Sequence, residues 1–364
     1  MKSFKELAGE YPDILENFLY GNGFSQSFYK GFDYTSLYES VKINLTEDAI
    51  KLFEKVLNTT NFEIVLNSIL TREVNNLITL PQNILDESYK NIKECLISAV
   101  YNTHPEYYEI STSIKKLAWS LRVFRSNIFT TNYDLLTYWA LIALVNNNVK
   151  VRDGFSRNIF ADGDLTFSPE NFKSKELNFY YLHGALQFYE ENDQIIKTEA
   201  NKDSPLLKEI EKQFNNKNFP LYVSEGSTNE KLKKIASNHY LLTCLIKLTE
   251  IEKGLTIFGH SLNEEYDGHL IKAIKETKNL NYIAYGIYPN NGDTEKEIAE
   301  VKSRITKLVD DTDKYLLFFD SRTFFDSVTD LANAGLFIGK SNTFPDNTLL
   351  GLYNHDKIRK APQN

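Results

Sequence analysis

Gly254-Leu255-Thr256-Ile257-Phe258 is a short, largely apolar run that stops at Gly259-His260-Ser261. A run of this length predicts a buried strand. Helical and strand patterns alternate after it, with a helix over 267–278, a strand over 282–287, a helix over 295–308 and a strand over 315–319. This alternation predicts an α/β fold, a Rossmann-like parallel sheet with helices on both faces.

Three earlier segments supply further strands for the same sheet. Residues 13–20, 127–130 and 178–182 are apolar and each ends at a turn of small or polar residues. Between the first two, residues of about 40–124 carry apolar positions at helical spacing, which predicts a large helical insertion. Residues of about 186–220 are charged and predict an irregular insert. We therefore expect one α/β domain over 1–340 and a peripheral tail over 341–364.

Bulk composition limits the classes of function. The chain has 364 residues, 42% of them hydrophobic, and a formal net charge of −8. An acidic chain argues against a general nucleic-acid-binding surface. The two cysteines, Cys95 and Cys244, lie in apolar runs, which predicts reduced, buried thiols in a cytoplasmic protein. No signal peptide is apparent at Met1-Lys2-Ser3, and no run of about 18 apolar residues predicts a membrane span.

The first polar motif is Gly21-Asn22-Gly23-Phe24-Ser25, directly after the strand over 13–20. Glycines at such a turn let the backbone approach a phosphate, and its N–H groups can bind the anion. A plain strand-to-helix turn explains Gly-x-Gly alone equally well. The motif gains weight only from its companions.

The second motif, Thr130-Thr131-Asn132-Tyr133-Asp134, follows the strand over 127–130. Helix capping explains one or two of these polar residues. It explains Asn132 poorly, because the carboxyl ends of parallel strands are where α/β sheets bind ligands. We expect the Asn132 amide to hold a ribose hydroxyl or a water.

Two histidines complete the set. His183-Gly184 follows the strand over 178–182, and Gly259-His260-Ser261 follows the strand over 254–258. A lone histidine is more often a structural residue, but one near its ordinary pKa can accept a proton from water or a ribose hydroxyl. We expect a base at His183 and a ligand-facing turn at His260.

In this order the four motifs resemble those of the sirtuin superfamily, and more closely its bacterial NAD-hydrolysing, anti-phage branch. Sirtuins carry Gly-Ala-Gly-x-Ser, similar to Gly21, Gly23 and Ser25, and Thr-Gln-Asn-x-Asp, similar to Thr130 through Asp134. Their His-Gly is similar to His183-Gly184, and their Gly-Thr-Ser turn resembles Gly259-His260-Ser261. The resemblance implies NAD contacts at these positions, including Phe24 and Thr131.

Departures from the sirtuin pattern are informative. Deacylating sirtuins have paired Cys-x-x-Cys zinc ligands, and two lone cysteines cannot build such a site. No arginine matches their Pro-Asp-Phe-Arg segment, where this chain reads Gly31-Phe32-Asp33-Tyr34. Phe32 or Tyr34 would stack near the nicotinamide. These gaps favour hydrolysis over transfer to an acylated peptide, and no metal is expected.

The resemblance implies cleavage of the nicotinamide–ribose bond of NAD, with NAD as a substrate and not as a recycled cofactor. Asn132 would fix the ribose or the water, His183 would act as base or orient the ribose, and Asp134 would orient Asn132. Such activity implies a gate: a homo-oligomer, a partner ATPase or a phage trigger. ADP-ribosyl transfer or deacylation, and a non-catalytic NAD or ADP-ribose sensor, stay open as alternatives.

Overall fold

Seven parallel strands form the central sheet of the computed structural model, in the spatial order β12-β11-β10-β1-β2-β6-β3. The structure describes residues 1–333 except 33, 71, 106, 158–162, 201–204, 217, 224–227 and 290–294. The predicted tail over 341–364 lies outside these residues. In chain order the strands are β1 Asn17–Tyr20, β2 Asn127–Thr130, β3 Val151–Arg152, β4 Phe155–Arg157, β5 Leu165–Phe167, β6 Leu177–Tyr181, β7 Gly184–Glu191, β8 Gln194–Lys197, β9 Pro220–Tyr222, β10 Glu252–Phe258, β11 Asn279–Ile287 and β12 Tyr315–Asp320.

Helices cover both faces of this sheet. They are α1 Phe4–Glu10, α2 Asn22–Gln26, α3 Tyr34–Val41, α4 Glu47–Lys51, α5 Phe62–Leu70, α6 Gln82–Thr103, α7 Tyr107–Arg122, α8 Leu136–Asn146, α9 Leu206–Asn215, α10 Thr228–Ser237, α11 His239–Thr249, α12 Glu264–Glu276, α13 Glu295–Thr306 and α14 Phe324–Asn333. Helices α2 to α7 lie between β1 and β2, so the predicted helical insertion is confirmed.

Alternation along the strands explains why both faces are covered. Phe18 and Tyr20 pack in one core with α7, α8 and α14, whereas Leu19 between them packs in a second core with α11 and α12. Because every residue of β1 is buried, the strand after Asn17 carries the apolar run Phe18-Leu19-Tyr20 and not an apolar–polar alternation. The predicted Rossmann-like α/β fold is confirmed.

Much of the stretch 186–219 differs from the sequence prediction. The segment expected to be irregular over 186–220 forms most of strand β7, strand β8 and helix α9, and it ends where strand β9 begins. With β4 and β5 these strands make a second sheet, antiparallel, in the order β4-β5-β8-β7-β9. Charged residues at the Glu190–Asp193 turn hide the pattern, because an antiparallel strand can run past the core into solvent.

The direction of strand crossover reverses at β1. The chain moves from β1 to β2 on one side, and later returns to place β10 on the other side. In open α/β sheets a crevice forms at such a switch point, beyond the carboxyl ends of the strands. The crevice here lies where β1 and β10 end, at Gly21 and Gly259.

Candidate functional site

All four sequence motifs meet at this crevice. They follow the carboxyl ends of four strands that are adjacent in the sheet, β6, β2, β1 and β10. Together they line a pocket of about 260 Å³. Its lining residues are Gly21, Asn22, Gln26, Phe32, Leu37, Phe62, Leu96, Thr131, Asn132, Tyr133, Asp134, His183, Gly259, His260, Ser261 and Asp267.

Asn132 is held by a chain of hydrogen bonds. Its Nδ2 donates to the carbonyl oxygen of Gly21 at 3.1 Å and to Ser25 Oγ at 2.7 Å. Ser25 Oγ in turn donates to Asp134 Oδ2 at 2.7 Å. Because both acceptors fix the amide nitrogen, Oδ1 is the atom of the Asn132 side chain that is left to accept a hydrogen bond from a ligand.

Asp134 is the buried end of that chain. Its Oδ1 accepts from the backbone N–H of Leu136 at 2.9 Å, and the residue is 4% exposed. Burial raises the pKa of its carboxyl to about 6, against the lowering effect of the hydrogen bonds from Ser25 and Leu136. Asp134 is thus linked to Asn132 through the hydroxyl of Ser25, and it can orient the Asn132 amide only through that hydroxyl.

His183 lies between the two sheets. Strand β6 ends at Tyr181 and β7 begins at Gly184, so only Leu182 and His183 connect them. The N–H of Leu182 donates to the carbonyl of Thr130 at 2.8 Å, and the carbonyl of His183 accepts from Val223 at 2.8 Å. The backbone of this connection is therefore anchored to both sheets.

A buried cluster of polar side chains, His269, Lys231 and Asp267, lies behind His183. Its Nε2 is 3.0 Å from Nε2 of His269 on α12, and Lys231 Nζ is 3.9 Å from Asp267 Oδ1. Burial first, and then the positive charge of Lys231, lower the pKa of His183 well below its ordinary value. Burial likewise lowers the pKa of His269 to about 4, so both rings are neutral at pH 7.

His260 also lines the pocket, in the turn after β10. Its Nδ1 accepts from the backbone N–H of Leu262 at 3.0 Å, which places the proton of the neutral ring on Nε2. Burial lowers the pKa of His260, and Tyr285 OH donates to its carbonyl oxygen at 2.7 Å. The ring thus presents an N–H, and not a lone pair, at Nε2.

Helix α12 is kinked at Asp267, where φ is −124° and ψ is 17°. The side chain of Thr228 enters the kink: its Oγ1 accepts from the N–H of Gly268 at 2.9 Å and lies 3.0 Å from the carbonyl of Glu265. A side chain inserted into the helix ladder is a known cause of kinks. The kink lies where Asp267 lines the pocket, two residues before His269.

The glycine motifs have a role that the sequence did not predict. The N–H of Gly21 donates to the carbonyl of Phe258 at 3.2 Å, and that of Gly23 to the carbonyl of Gly259 at 2.9 Å. A Cβ on Gly23 would lie 2.9 Å from Cα of Gly259. These amides dock the β1 turn on the β10 turn, so they are not available to a phosphate as predicted.

The helical insertion provides the apolar wall of the pocket. Leu37 of α3, Phe62 of α5 and Leu96 of α6 line it with Phe32. Asn22 Nδ2 donates to the carbonyl of Phe32 at 2.9 Å and ties this wall to the β1 turn. Sequence reasoning missed the three insertion residues, because their pattern is that of ordinary core positions.

Most predicted residues line the pocket, and three do not. Phe24 is fully buried in an aromatic cluster with Phe18, Tyr20 and Phe258. Ser25 is buried and acts through Asn132, and Gly23 lies on a neighbouring pocket. His269 was also missed, and its only signal in the sequence is a histidine on an amphipathic helix.

The neighbouring pocket has a volume of about 710 Å³ and shares Gln26, Gly259, His260 and Ser261 with the first. Lys30 and Arg304 add positive charge to its lining, and Tyr285 and Tyr288 add aromatic rings. Together the two pockets form an elongated site across the switch point.

No group of three or more His, Cys, Asp or Glu side chains in the described part of the chain is arranged to hold a metal ion. Among the same residues, no helix is long and apolar enough to span a bilayer.

Comparisons with known proteins give a family without a described activity. Residues 18–329 match the family model described as "Domain of unknown function (DUF4917)". A solved structure described as "Structural Basis for the Mechanism and Regulation of Sir2 Enzymes" aligns over 92% of this chain and 100% of that one, at 11% identity and a TM-score of 0.36. A superposition this poor establishes no shared function. No curated protein matches the chain significantly.

Proposed function

The chain belongs to the family described as "Domain of unknown function (DUF4917)", and we propose from the residues of its pocket that it hydrolyses NAD to nicotinamide and ADP-ribose. One observation carries the proposal. Asn132 and His183, at the ends of two neighbouring strands, line one pocket at the switch point of the sheet. The motif resemblance to sirtuin-like NAD hydrolases supports the same assignment.

The elongated site suits a dinucleotide. We assign the nicotinamide riboside to the pocket with Asn132 and His183, and the adenosine half to the neighbouring pocket. The diphosphate would then lie at their shared wall, where Ser261 has a hydroxyl and His260 an N–H to donate. The positive charges of Lys30 and Arg304 suit the same anion.

The residues of the first pocket suit glycosidic cleavage. Departure of nicotinamide leaves an oxocarbenium-like ribose, which a water then captures. Asn132 Oδ1 can accept a hydrogen bond from that water or from a ribose hydroxyl, and the neutral His183 lines the same pocket and would contact the ribose. The apolar wall of Phe32, Leu37 and Phe62 limits other water, while binding of the remote adenosine fixes the scissile bond.

Two broader parts of the proposal rest on the resemblance alone. We propose that the activity serves anti-phage defence, and that assembly or a partner controls it. The helical insertion is the proposed assembly surface. NAD loss in an uninfected cell would otherwise be unrestrained.

The first prediction concerns the two central residues. The purified protein at high concentration is expected to release nicotinamide from NAD, measured by chromatography with and without crowding agents. Asn132→Ala and His183→Ala are each expected to lower the rate at least about 100-fold, because each removes a fixed polar contact to the reacting group.

Matched controls are Asn279→Ala and His239→Ala, both exposed and outside the pocket. Their rates are expected to equal that of the wild type. NAD that is bound but stays intact in every assembly state would instead identify a sensor. Faster turnover with an acylated peptide than with water would identify a transferase, and no binding at all would overturn the proposal.

A further inference from the structure

The inference concerns the pair of histidine rings behind the pocket. His183 and His269 are 2% and 3% exposed, with Nε2 atoms 3.0 Å apart and ring centroids 5.2 Å apart. Two imidazole nitrogens at this distance share one proton. One ring therefore donates and the other accepts.

The surroundings decide which ring donates. Nδ1 of His269 is buried and has no hydrogen-bond partner among the described residues. Buried N–H groups without an acceptor are rarer in proteins than buried acceptors without a donor. The proton of His269 therefore belongs on Nε2, from which it donates to Nε2 of His183. The proton of the neutral His183 ring then lies on Nδ1.

We propose that His269 is a positioning residue that holds His183 in its Nδ1–H form, so that His183 meets the ribose as a hydrogen-bond donor and not as a base. Since Nε2 is occupied by His269, Nδ1 is the ring nitrogen left for a ligand. Asn132 offers the acceptor Oδ1 to the same pocket. A donor and an acceptor together match the two needs of a hydroxyl group or a water.

Burial keeps the pair neutral, while the neighbouring charges act on it in opposite directions. Lys231 of α10 and Asp267 of α12 form an ion pair at 3.9 Å, and His260 approaches from the turn after β10. The lysine disfavours a second positive charge on either histidine, whereas Asp267 favours one on His269. Burial of both rings decides the balance toward the neutral pair.

The tautomer can be measured without any turnover. The full chain labelled with ¹⁵N-histidine would be examined by long-range ¹H–¹⁵N NMR at pH 7.5, with the six histidines assigned by single His→Gln variants. His183 is expected to carry its proton on Nδ1. A proton on Nε2 of His183 would overturn the inference.

Two other histidines serve as internal standards. His104 Nε2 accepts from the N–H of Leu135 at 2.8 Å, so His104 is expected as the Nδ1–H form. His260 is expected as the Nε2–H form, because its Nδ1 accepts from Leu262. The spectrum should therefore contain one reference for each tautomer.

Variants of His269 test the positioning role. Glutamine can place an N–H where His269 Nε2 is, and leucine cannot. His269→Leu is expected to shift His183 toward the Nε2–H form and to lower kcat by up to about 100-fold with KM little changed. His269→Gln is expected to keep the Nδ1–H form and most of the rate. Melting curves of both variants separate this effect from a loss of folding.

The role toward the ribose rests on the proposed function, but the tautomer does not. If the wild type leaves NAD intact, the hydrolase proposal fails while the NMR result still decides the inference. If His269→Leu keeps His183 in the Nδ1–H form, or keeps the full rate, the positioning role is wrong.

Discussion

At the scale of single residues, the site depends on the carboxyl group of Asp134, which is buried although water would solvate its ionised form better. Asp134 is buried at the end of the chain Asn132–Ser25–Asp134 and accepts two hydrogen bonds, yet burial still raises its pKa to about 6. The ionised form is therefore less stable in the folded protein than in water. Orientation of Asn132 is obtained at a cost in folding stability.

The variant Asp134→Asn should show how much the buried carboxyl lowers the folding stability. The rise in pKa from 3.8 to about 6 corresponds to about 3 kcal/mol. The folded protein binds this proton more tightly than the unfolded chain, so the contribution of Asp134 to stability is fully present below pH 4 and is lost as the pH rises through 6. The variant is expected to exceed wild type at pH 7.5, by less than 3 kcal/mol because Ser25 loses its acceptor.

Urea unfolding midpoints at pH 4.5 and pH 7.5 measure this difference. The advantage of Asp134→Asn over wild type is expected to grow between the two values. The exposed Asp310→Asn is the control and should show no such change. An advantage that is the same at both pH values would contradict the buried, poorly solvated carboxyl.

At the scale of elements, the turn after β1 and the turn after β10 pack directly against each other because the glycines at their contact have no side chains. Gly259 has a φ of +63°, and a Cβ there would lie 2.5 Å from the backbone nitrogen of Phe24. The turn after β1 and the turn after β10 therefore share one backbone contact surface. The pocket residues Gly21 and His260 are positioned by this contact.

Gly259→Ala is expected to destabilise the fold by about 1–3 kcal/mol, because the new Cβ meets backbone at a left-handed position. Differential scanning calorimetry measures the change. Gly9→Ala is the control: apart from the backbone of its own helix and its chain neighbours, no atom lies within 4 Å of its Cβ position, so alanine should be neutral or slightly stabilising. Equal melting temperatures for the two variants would contradict the shared surface.

Secondary structure was predictable where one pattern dominated. Strands β10 and β11 are buried over 254–258 and 283–287, so the short apolar runs 254–258 and 282–287 located them. Residues 229–247 have apolar positions at helical spacing throughout, a pattern typical of one helix, yet they form parts of α10 and α11. The break lies at Asn238, whose side chain accepts from the N–H of Leu241 and caps the second helix. Because the helical spacing of polar and apolar residues continues across Asn238, the sequence pattern does not indicate this cap.

At the scale of the whole molecule, the helical insertion has two surfaces. Its inner side packs into the first core and supplies the pocket wall, whereas Ile43 and Leu77 are 92% and 62% exposed on the outside. Assembly through this outer surface stays a prediction. It would connect oligomerisation with the residues that contact the nicotinamide end.

The doubled variant Ile43→Asp, Leu77→Asp is expected to lower the oligomeric state, measured by analytical ultracentrifugation, without a change in melting temperature. Charges placed on apolar residues disfavour their burial in an interface. Tyr315→Asp, on an exposed residue outside the insertion, is the control. An unchanged oligomer, or a wild type that is already monomeric, would contradict this assembly surface.

The site was predictable to the extent that parallel strands bring their carboxyl ends together. Motifs after β1, β2, β6 and β10 could be placed on one edge from their order alone, and they do line one pocket. His269 could not be found in that way, because its approach to His183 depends on the tertiary position of a helix. The contact of Gly23 with Gly259 was also not predictable, because a bound phosphate and a neighbouring peptide both require a residue without a side chain at this position.

The two-residue connection between β6 and β7 leaves no slack in the chain. His183 is fixed at its carbonyl by Val223, and the next residue, Gly184, pairs with Tyr222. A single residue added between Tyr181 and Gly184 would exchange the inward and outward sides of β7 or push the ring out of the pocket. Since His183 is hydrogen-bonded into both sheets at this connection, any shift of the antiparallel sheet relative to the central sheet would also move the ring.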